Sequence, residues 1–255
     1  MIRSLLSRLS KARPSAPSEE RLPPGVRVYA IGDVHGRVDL LERLYGLIAA
    51  DLKARPAEKV MEVFLGDYID RGPSSREVID WMLTGPRVAR KRICLRGNHE
   101  LMMQAFLEDA SVIGSWGQYG GLETLFSYGV KVKLPLGEDL YQEVQQAFRA
   151  AVPAGHAEFL RSLRPMASAG GYHFAHAGVN PAKPLADQAE DDIYWIREPF
   201  LSHHRPLEKV VVHGHTPVEQ PEVQVHRIGI DTGAYITGRL TCAVLEGAQV
   251  TFLST

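Results

Sequence analysis

Apolar positions along this chain switch repeatedly between a two-residue and a 3.6-residue period. Arg27–Ile31, Val60–Leu65 and Arg92–Leu95 are short β-rich runs and are expected as strands. After the first, Val38, Leu41, Leu44, Leu47, Ile48 and Leu52 fall on one helical stripe. Ser74 or Ser75 can cap a second helix running to Leu83, and a third is expected to end near Leu107. This strand–turn–helix rhythm is that of an α/β sheet. The middle differs. Ile113–Phe126 is rich in Gly and aromatics and reads as a loop followed by a helix at Leu122–Phe126. Asp139–Ala151 and His156–Leu163 read as two further helices, so residues 110–168 form a mostly helical insertion. Strands return at Tyr172–Ala175, Lys209–Val212, Val223–Ile230, Leu240–Glu246 and Gln249–Leu253. Their alternation and tight polar turns predict a second, antiparallel-rich sheet packed on the first.

Composition adds bounds. With 255 residues, 45% of them hydrophobic, the chain can enclose one large core. We expect a flexible tail over residues 1–24 and a single domain over 25–255. Ile2, Leu5, Leu6 and Leu9 would share a helical face, but the stretch breaks into Ser, Pro and Ala, which favours a disordered tail over a membrane-surface helix. Apolar stretches there are too short for a membrane span or an export signal, and a cytoplasmic location is expected. Formal net charge is -1, from 29 basic and 30 acidic residues, with no basic stripe; nucleic acid is therefore not an expected partner. Cys94 and Cys242 sit in separate apolar runs and read as reduced core residues.

Candidate chemistry concentrates at strand ends. Gly32-Asp33-Val34-His35-Gly36, Gly66-Asp67, Gly97-Asn98-His99 and Gly214-His215-Thr216 share one design, as does Phe174-Ala175-His176-Ala177-Gly178. Each ends an apolar strand and turns at once through Gly beside Asp, His or Asn. Ligands bind beyond the carboxyl ends of strands in open α/β sheets, so five distant segments can converge there. Asp33 and His35, two residues apart, can reach one ion; Asp67 can bridge two; Asn98, His176 and His215 can complete the second. Such ligands suit Mn, Fe, Zn, Co or Ni, and no thiolate cluster supports a structural zinc site. A pair of divalent cations about 3.5–4 Å apart suits in-line displacement at phosphorus. His99 is the candidate proton donor, Asp70 can hold its ring and favour the protonated form, and Arg71 can grip phosphate oxygens. No covalent nucleophile motif is present.

Blander roles compete. Arg71 could pair with Glu77 or Asp80, His213 could fill the core, and His173 could be an ordinary sheet residue. His203, His204 and His226 read as surface or supporting positions.

The ordered set GDVHG, GDYIDRG, GNHE, HAG and GHT resembles the calcineurin-like metallophosphoesterases, from Asp33 to Gly233. GDYIDRG is similar to the phosphoprotein phosphatase branch, especially small bacterial and phage serine/threonine phosphatases. The resemblance implies an α/β/β/α sandwich with two mixed β-sheets. It implies metal ligands at Asp33, His35, Asp67, Asn98, His176 and His215, a leaving-group acid at His99 oriented by Asp70, and phosphate contacts from Arg71 and Arg197. Arg197 rests on the resemblance alone, through Ile193-Tyr194-Trp195-Ile196-Arg197. Two divalent ions are implied, Mn first among them. Gly214-His215-Thr216-Pro217 lacks the second histidine of Gly-His-x-His, which leaves the first site poorer in protein ligands. Asp231 is either a partner of a ligand histidine or a turn former with Gly233.

The leading expectation is phosphomonoester hydrolysis on phosphoserine or phosphothreonine proteins and peptides, with water activated between two cations; a monomer is compatible with the sequence, which leaves the oligomeric state open. The alternative is a dinucleoside polyphosphate hydrolase, or a phosphatase of phosphotyrosine and small phosphomonoesters. A shallow groove would favour protein substrates and a base-stacking pocket the alternative; Trp116, Tyr119 and Trp195 could serve the wall of either, or pack in the core. A catalytically silent binding module would have lost a ligand, and none is missing.

Overall fold

The computed structural model describes residues 21–255. Most of the expected tail, residues 1–20, lies outside the described residues, together with the apolar face of Ile2, Leu5, Leu6 and Leu9. At the first described residues, Leu22 is buried and its N–H bonds the Gly247 carbonyl at 3.2 Å.

The first sheet contains β1 (Val26–Ile31), β2 (Lys59–Phe64), β3 (Lys91–Cys94), β9 (Thr241–Glu246) and β10 (Gln249–Ser254), in the order β10-β9-β1-β2-β3. The strands β1, β2 and β3 run parallel, while β9 and β10 are antiparallel additions. The second sheet contains β4 (Met166–Ala169), β5 (Tyr172–Ala175), β6 (Val210–His213), β7 (Glu222–Val223) and β8 (Arg227–Gly229), in the order β4-β5-β6-β8-β7. Its centre, β5-β6-β8, is parallel and its edges antiparallel.

Three expectations change. The last two strands extend the first sheet instead of the second, and the second sheet is mixed rather than antiparallel-rich. The run Val223–Ile230 divides, because it turns between Gln224 and Arg227 to form the antiparallel pair β7/β8. Unexpected elements include β4 and the helix α8 (Glu190–Trp195).

Period-two alternation divides the core cleanly. Val28, Ala30, Val63, Leu65, Ala243 and Leu245 face inward against Tyr172, Phe174, Val210, Val212, Ile228 and Ile230 of the second sheet. Their neighbours Tyr29, Ile31, Phe64, Cys242 and Val244 point the other way, onto helices α1 (Val38–Ala54), α2 (Ser75–Thr84) and α3 (Asn98–Glu108). Beyond the second sheet, Ala175, Ala177 and Val211 pack on Ile196 and Phe200 after α8. Helices, two sheets and this outer layer make the α/β/β/α sandwich. Residues 110–168 carry α4 (Ile113–Trp116), α5 (Gly121–Ser127), α6 (Tyr141–Ala151) and α7 (Ala154–Ser162), packed on the first helical layer through Ile113, Trp116, Leu125 and Phe148. Both cysteines are free thiols. No helix among the described residues is long and apolar enough to cross a membrane.

Register aligns the strand ends. Ile31 pairs with Phe64 and Phe64 with Cys94; Phe174 pairs with Val212 and His213 with Gly229. Asp33, Asp67, Asn98, His176, His215 and Asp231 therefore leave the carboxyl ends of six parallel strands, three from each sheet.

Candidate metal centre

The loops that carry these residues are held in costly shapes. Among the described residues, the non-glycine positions with positive φ are His35 (45°), Asp67 (51°), Asp70 (71°), Arg71 (67°) and His215 (63°). Each such position costs about 1–3 kcal/mol, and strain of this kind collects at functional sites. The loops brace one another. Val34 and His35 N–H groups bond the Asp67 carbonyl at 3.0 and 2.9 Å. Buried Glu100 joins the next pair: Oε2 accepts from Asp67 N–H (2.9 Å) and Gly97 N–H (2.8 Å), and Oε1 from Tyr68 N–H (2.8 Å). Burial pushes its carboxyl up to about 7, against the pull of those three donors. Gly97 and Gly214 are required by contact: a Cβ at either would collide with the carboxylate of Asp67 or Asp33.

Asp67 lies at the centre. His35 donates Nδ1–H to the Ile69 carbonyl (2.8 Å), which aims Nε2 at Asp67 Oδ2, 3.5 Å away. His176 uses Nδ1–H on the Leu65 carbonyl (2.9 Å) and places Nε2 3.4 Å from Asp67 Oδ1. His176 Nε2 and His215 Nδ1 each lie 2.9 Å from Asn98 Oδ1. Two groups result, Asp67–His35–His99 and Asp67–His176–His215, each with ligand atoms within 4.8 Å of one another. They share Asp67, so the protein holds a buried dinuclear ligand cluster. Asp33 joins it through Oδ2, which accepts the His215 N–H at 2.9 Å.

The chemistry of these donors fits cations. Asp33 Oδ1 and His215 Nε2 are buried without any hydrogen-bond partner. Burial first, then the charge of Asp231, raises the Asp33 carboxyl well above its ordinary value; burial and Glu100 do the same to Asp67. Burial holds the imidazoles neutral, with His35 lowered and His176 pushed down to about 3. Neutral imidazoles beside carboxylates short of positive charge are what divalent ions bind. Asp231 forms the expected turn, its Oδ1 accepting the Gly233 N–H at 2.9 Å, and its neighbour in the cluster is the carboxylate of Asp33, not a histidine.

His99 is sequestered beside this cluster. Its Nδ1 lies 2.6 Å from Asp70 Oδ2, and its Nε2 3.8 Å from Asp67 Oδ2. Asp70 receives Trp116 Nε1–H (2.7 Å) and Thr124 Oγ1–H (2.5 Å). The expected contact is present, but the imidazole is lowered to about 3 by burial and the Arg71 charge, while burial raises Asp70 to about 7. Burial thus opposes charge on both members of the pair.

Arg71 pairs with neither Glu77 nor Asp80. Its NH1 donates to His35 Nε2 at 3.1 Å and its guanidinium lies 4.9 Å from the Tyr235 ring centre; Asp80 pairs instead with His156. A cavity of about 370 Å³ beside it is lined by Arg71, Gln118, Tyr119, Gly120, Glu123 and Tyr235. Arg197 is exposed on the loop after α8, where its charge acts on His215. Trp195 stands edge-on to the His215 ring at 6.3 Å. Trp116 is fully buried and belongs to the core, not to a wall. His173 and His213 are buried in strands β5 and β6, His226 is buried, and none of them joins the ligand groups. A larger hollow of about 460 Å³ near Leu83, Phe159 and Arg164 contains none of the candidate ligands.

Reading the sequence missed Glu100, Trp116 and Thr124. Glu100 had a signal: it falls three residues after Gly97, at the capping-box position of α3. Trp116 and Thr124 had none, because their partner Asp70 is about fifty residues away.

Comparison with known proteins agrees with this geometry. The model of the calcineurin-like phosphoesterase family matches residues 26–243. A bis(5'-nucleosyl)-tetraphosphatase PrpE [asymmetrical] of Oceanobacillus iheyensis is 25% identical over 230 residues, covering 85% of this chain and 87% of that protein. A candidate serine/threonine-protein phosphatase of Caenorhabditis elegans is 38% identical over 104 residues, 40% of this chain and 24% of its own. Among solved structures, a candidate diadenosine tetraphosphatase superposes with TM-score 0.62 at 21% identity, covering 89% of this chain and 93% of the other. A point mutant of a cold-active protein tyrosine phosphatase superposes with TM-score 0.58 at 16% identity, over 94% of this chain and 84% of the other. Fold, buried dinuclear cluster and family match converge: the chain belongs to the calcineurin-like phosphoesterase family and is a metal-dependent phosphoesterase.

Proposed function

We propose that this protein hydrolyses dinucleoside polyphosphates. The observation that carries the reading is the extent of similarity. Relatives named as bis(5'-nucleosyl)-tetraphosphatases align over 83–85% of this chain and 87% of their own length. The serine/threonine phosphatase relatives align over 29–40% of it.

In this reading Asp33, His35 and Asp67 hold one cation, and Asp67, Asn98, His176 and His215 hold the other. When bound, the pair supplies positive charge to the phosphoryl oxygens and acidifies water; Mn is the first metal to test. Arg71, bonded to His35, and Arg197, whose charge reaches His215, orient phosphate oxygens. His99 presents Nε2 to the leaving oxygen, and Asp70, fixed by Trp116 and Thr124, holds the ring at Nδ1. The helical segment of residues 110–168 thus completes the proton donor and belongs to one catalytic unit with the sheets.

A second reading, phosphoserine and phosphothreonine hydrolysis, is favoured by Gly66-Asp67-Tyr68-Ile69-Asp70-Arg71-Gly72 and by that 38%-identical local match. A substrate panel on Mn-loaded protein separates them, using diadenosine tetraphosphate, phosphopeptides and a bis-aryl phosphodiester. The proposal expects the anhydride to be cleaved with the highest kcat/KM. Preference for a phosphopeptide by an order of magnitude or more would reverse the assignment.

A further inference from the structure

We propose that the exposed rings of Trp195 and Tyr119 are two nucleobase platforms on opposite flanks of the cation centre. The inference rests on the dinucleoside polyphosphate reading and names the residues that recognise the two ends of such a substrate.

Asp67 defines the flanks. Its Oδ1 faces His176, and its Oδ2 faces His35 and His99. Trp195 stands beside His215, which shares Asn98 Oδ1 with His176. Tyr119 lines the cavity of Arg71, and Arg71 bonds His35. One aromatic therefore lies beyond each side of the bridging carboxylate.

Both rings are open and carried on ordered backbone. Trp195 is 40% exposed and Tyr119 50%, whereas Trp116, three residues before Tyr119, is fully buried. What sets these two rings apart is their place: each offers an open π face beside the phosphoesterase centre, on which a planar base can stack. Trp195 is the last residue of α8, between buried Tyr194 and Ile196. Tyr119 precedes Gly120, whose left-handed turn (φ 101°) presents a carbonyl to the Arg71 N–H at 3.1 Å.

A dinucleoside polyphosphate has the matching design: an anionic chain with a planar base at each end. With its phosphates on the cations and Arg71, the bases extend to either side. Stacking tolerates any base, since each has a π face. On the Tyr119 side, the Glu123 carboxylate lines the same cavity and can accept a base N–H.

The test compares kcat/KM for diadenosine tetraphosphate with kcat/KM for tripolyphosphate, an anhydride without bases, in Mn-loaded wild type, Trp195→Ala, Tyr119→Ala and the double variant. Platforms predict that the ratio falls about tenfold in each single variant, about 1.4 kcal/mol. The loss should appear mainly in KM. The double variant should lose more than either single variant, up to about 100-fold, the limit in which the two ends of the substrate bind independently. Trp195→Phe and Tyr119→Phe should recover most of the ratio. A structural role would lower both activities together and leave the ratio unchanged. If wild type cleaves diadenosine tetraphosphate and the double variant keeps the ratio, the platforms are refuted and the functional reading stands. If wild type cleaves tripolyphosphate but not diadenosine tetraphosphate, both are refuted.

Discussion

Replacing Glu100 by Gln probes the link between fold and site, because this side chain never faces substrate. The carboxylate satisfies three backbone donors, two through Oε2 and one through Oε1. An amide retains one oxygen. In its better orientation it keeps Asp67 N–H and Gly97 N–H and turns its own NH2 toward Tyr68 N–H. One buried donor is then orphaned, at a cost of about 1–3 kcal/mol. For a chain of this size, about 2 kcal/mol corresponds to a Tm lowered by roughly 4–8 °C. The consequence for the site follows from geometry. Glu100 ties Asp67 to the turn that carries Asn98, so loosening it should weaken cation affinity by roughly 10–100-fold, as expected for groups that orient metal ligands. Thermal unfolding by circular dichroism and calorimetric titration with Mn²⁺, both at pH 8, read the two effects separately. A lowered Tm with wild-type cation affinity would refute the reasoning, since the loops would then not transmit strain to the ligands.

Other consequences are open to measurement. His99→Asn should lower kcat by about 10²–10⁴ on a substrate with a poor leaving group, the usual worth of a positioned acid; an unchanged kcat would remove His99 from the reaction. Glu62, fully buried, accepts from Arg92 Nε at 2.6 Å and from Val88 and Ala89 N–H. Glu62→Ala strands that guanidinium and should cost about 3–5 kcal/mol by urea unfolding, whereas a loss below about 1 kcal/mol would contradict its burial as a pair. Chelation should also destabilise. An ion at 100 times its Kd contributes about 2.7 kcal/mol, so a Tm unmoved by EDTA would mean that the fold binds no ion.

How much of this was legible in the sequence depends on how local each signal is. The convergence of Asp33, Asp67, Asn98, His176 and His215 could be read because each lies at the end of an apolar strand with a glycine within two residues. Strand β4 escaped because Met166-Ala-Ser-Ala has no β-branched residue and lies at a sheet edge. Helix α8 escaped because six residues opening with Glu190-Asp191-Asp192 carry no periodic stripe. The pairing of β9 with β1 joins residues over 200 positions apart, and alternation alone cannot say which sheet a strand joins. The buried Glu62–Arg92 pair was hidden for the same reason that the Trp116 and Thr124 contacts to Asp70 were: a polar residue looks solvated until its distant partner is known. The aromatic segment looked uniform in sequence, yet it divides into a buried Trp116 and an open Tyr119.

The central claim is that Asp67 joins two cation sites. Its most direct test is Mn²⁺ binding to metal-free protein, counted by calorimetry and followed by electron paramagnetic resonance. The account predicts two ions per chain and a spin-coupled signal in wild type, with the coupled signal lost in Asp67→Asn. A single ion per chain in wild type, or a coupled pair that survives Asp67→Asn, would contradict it.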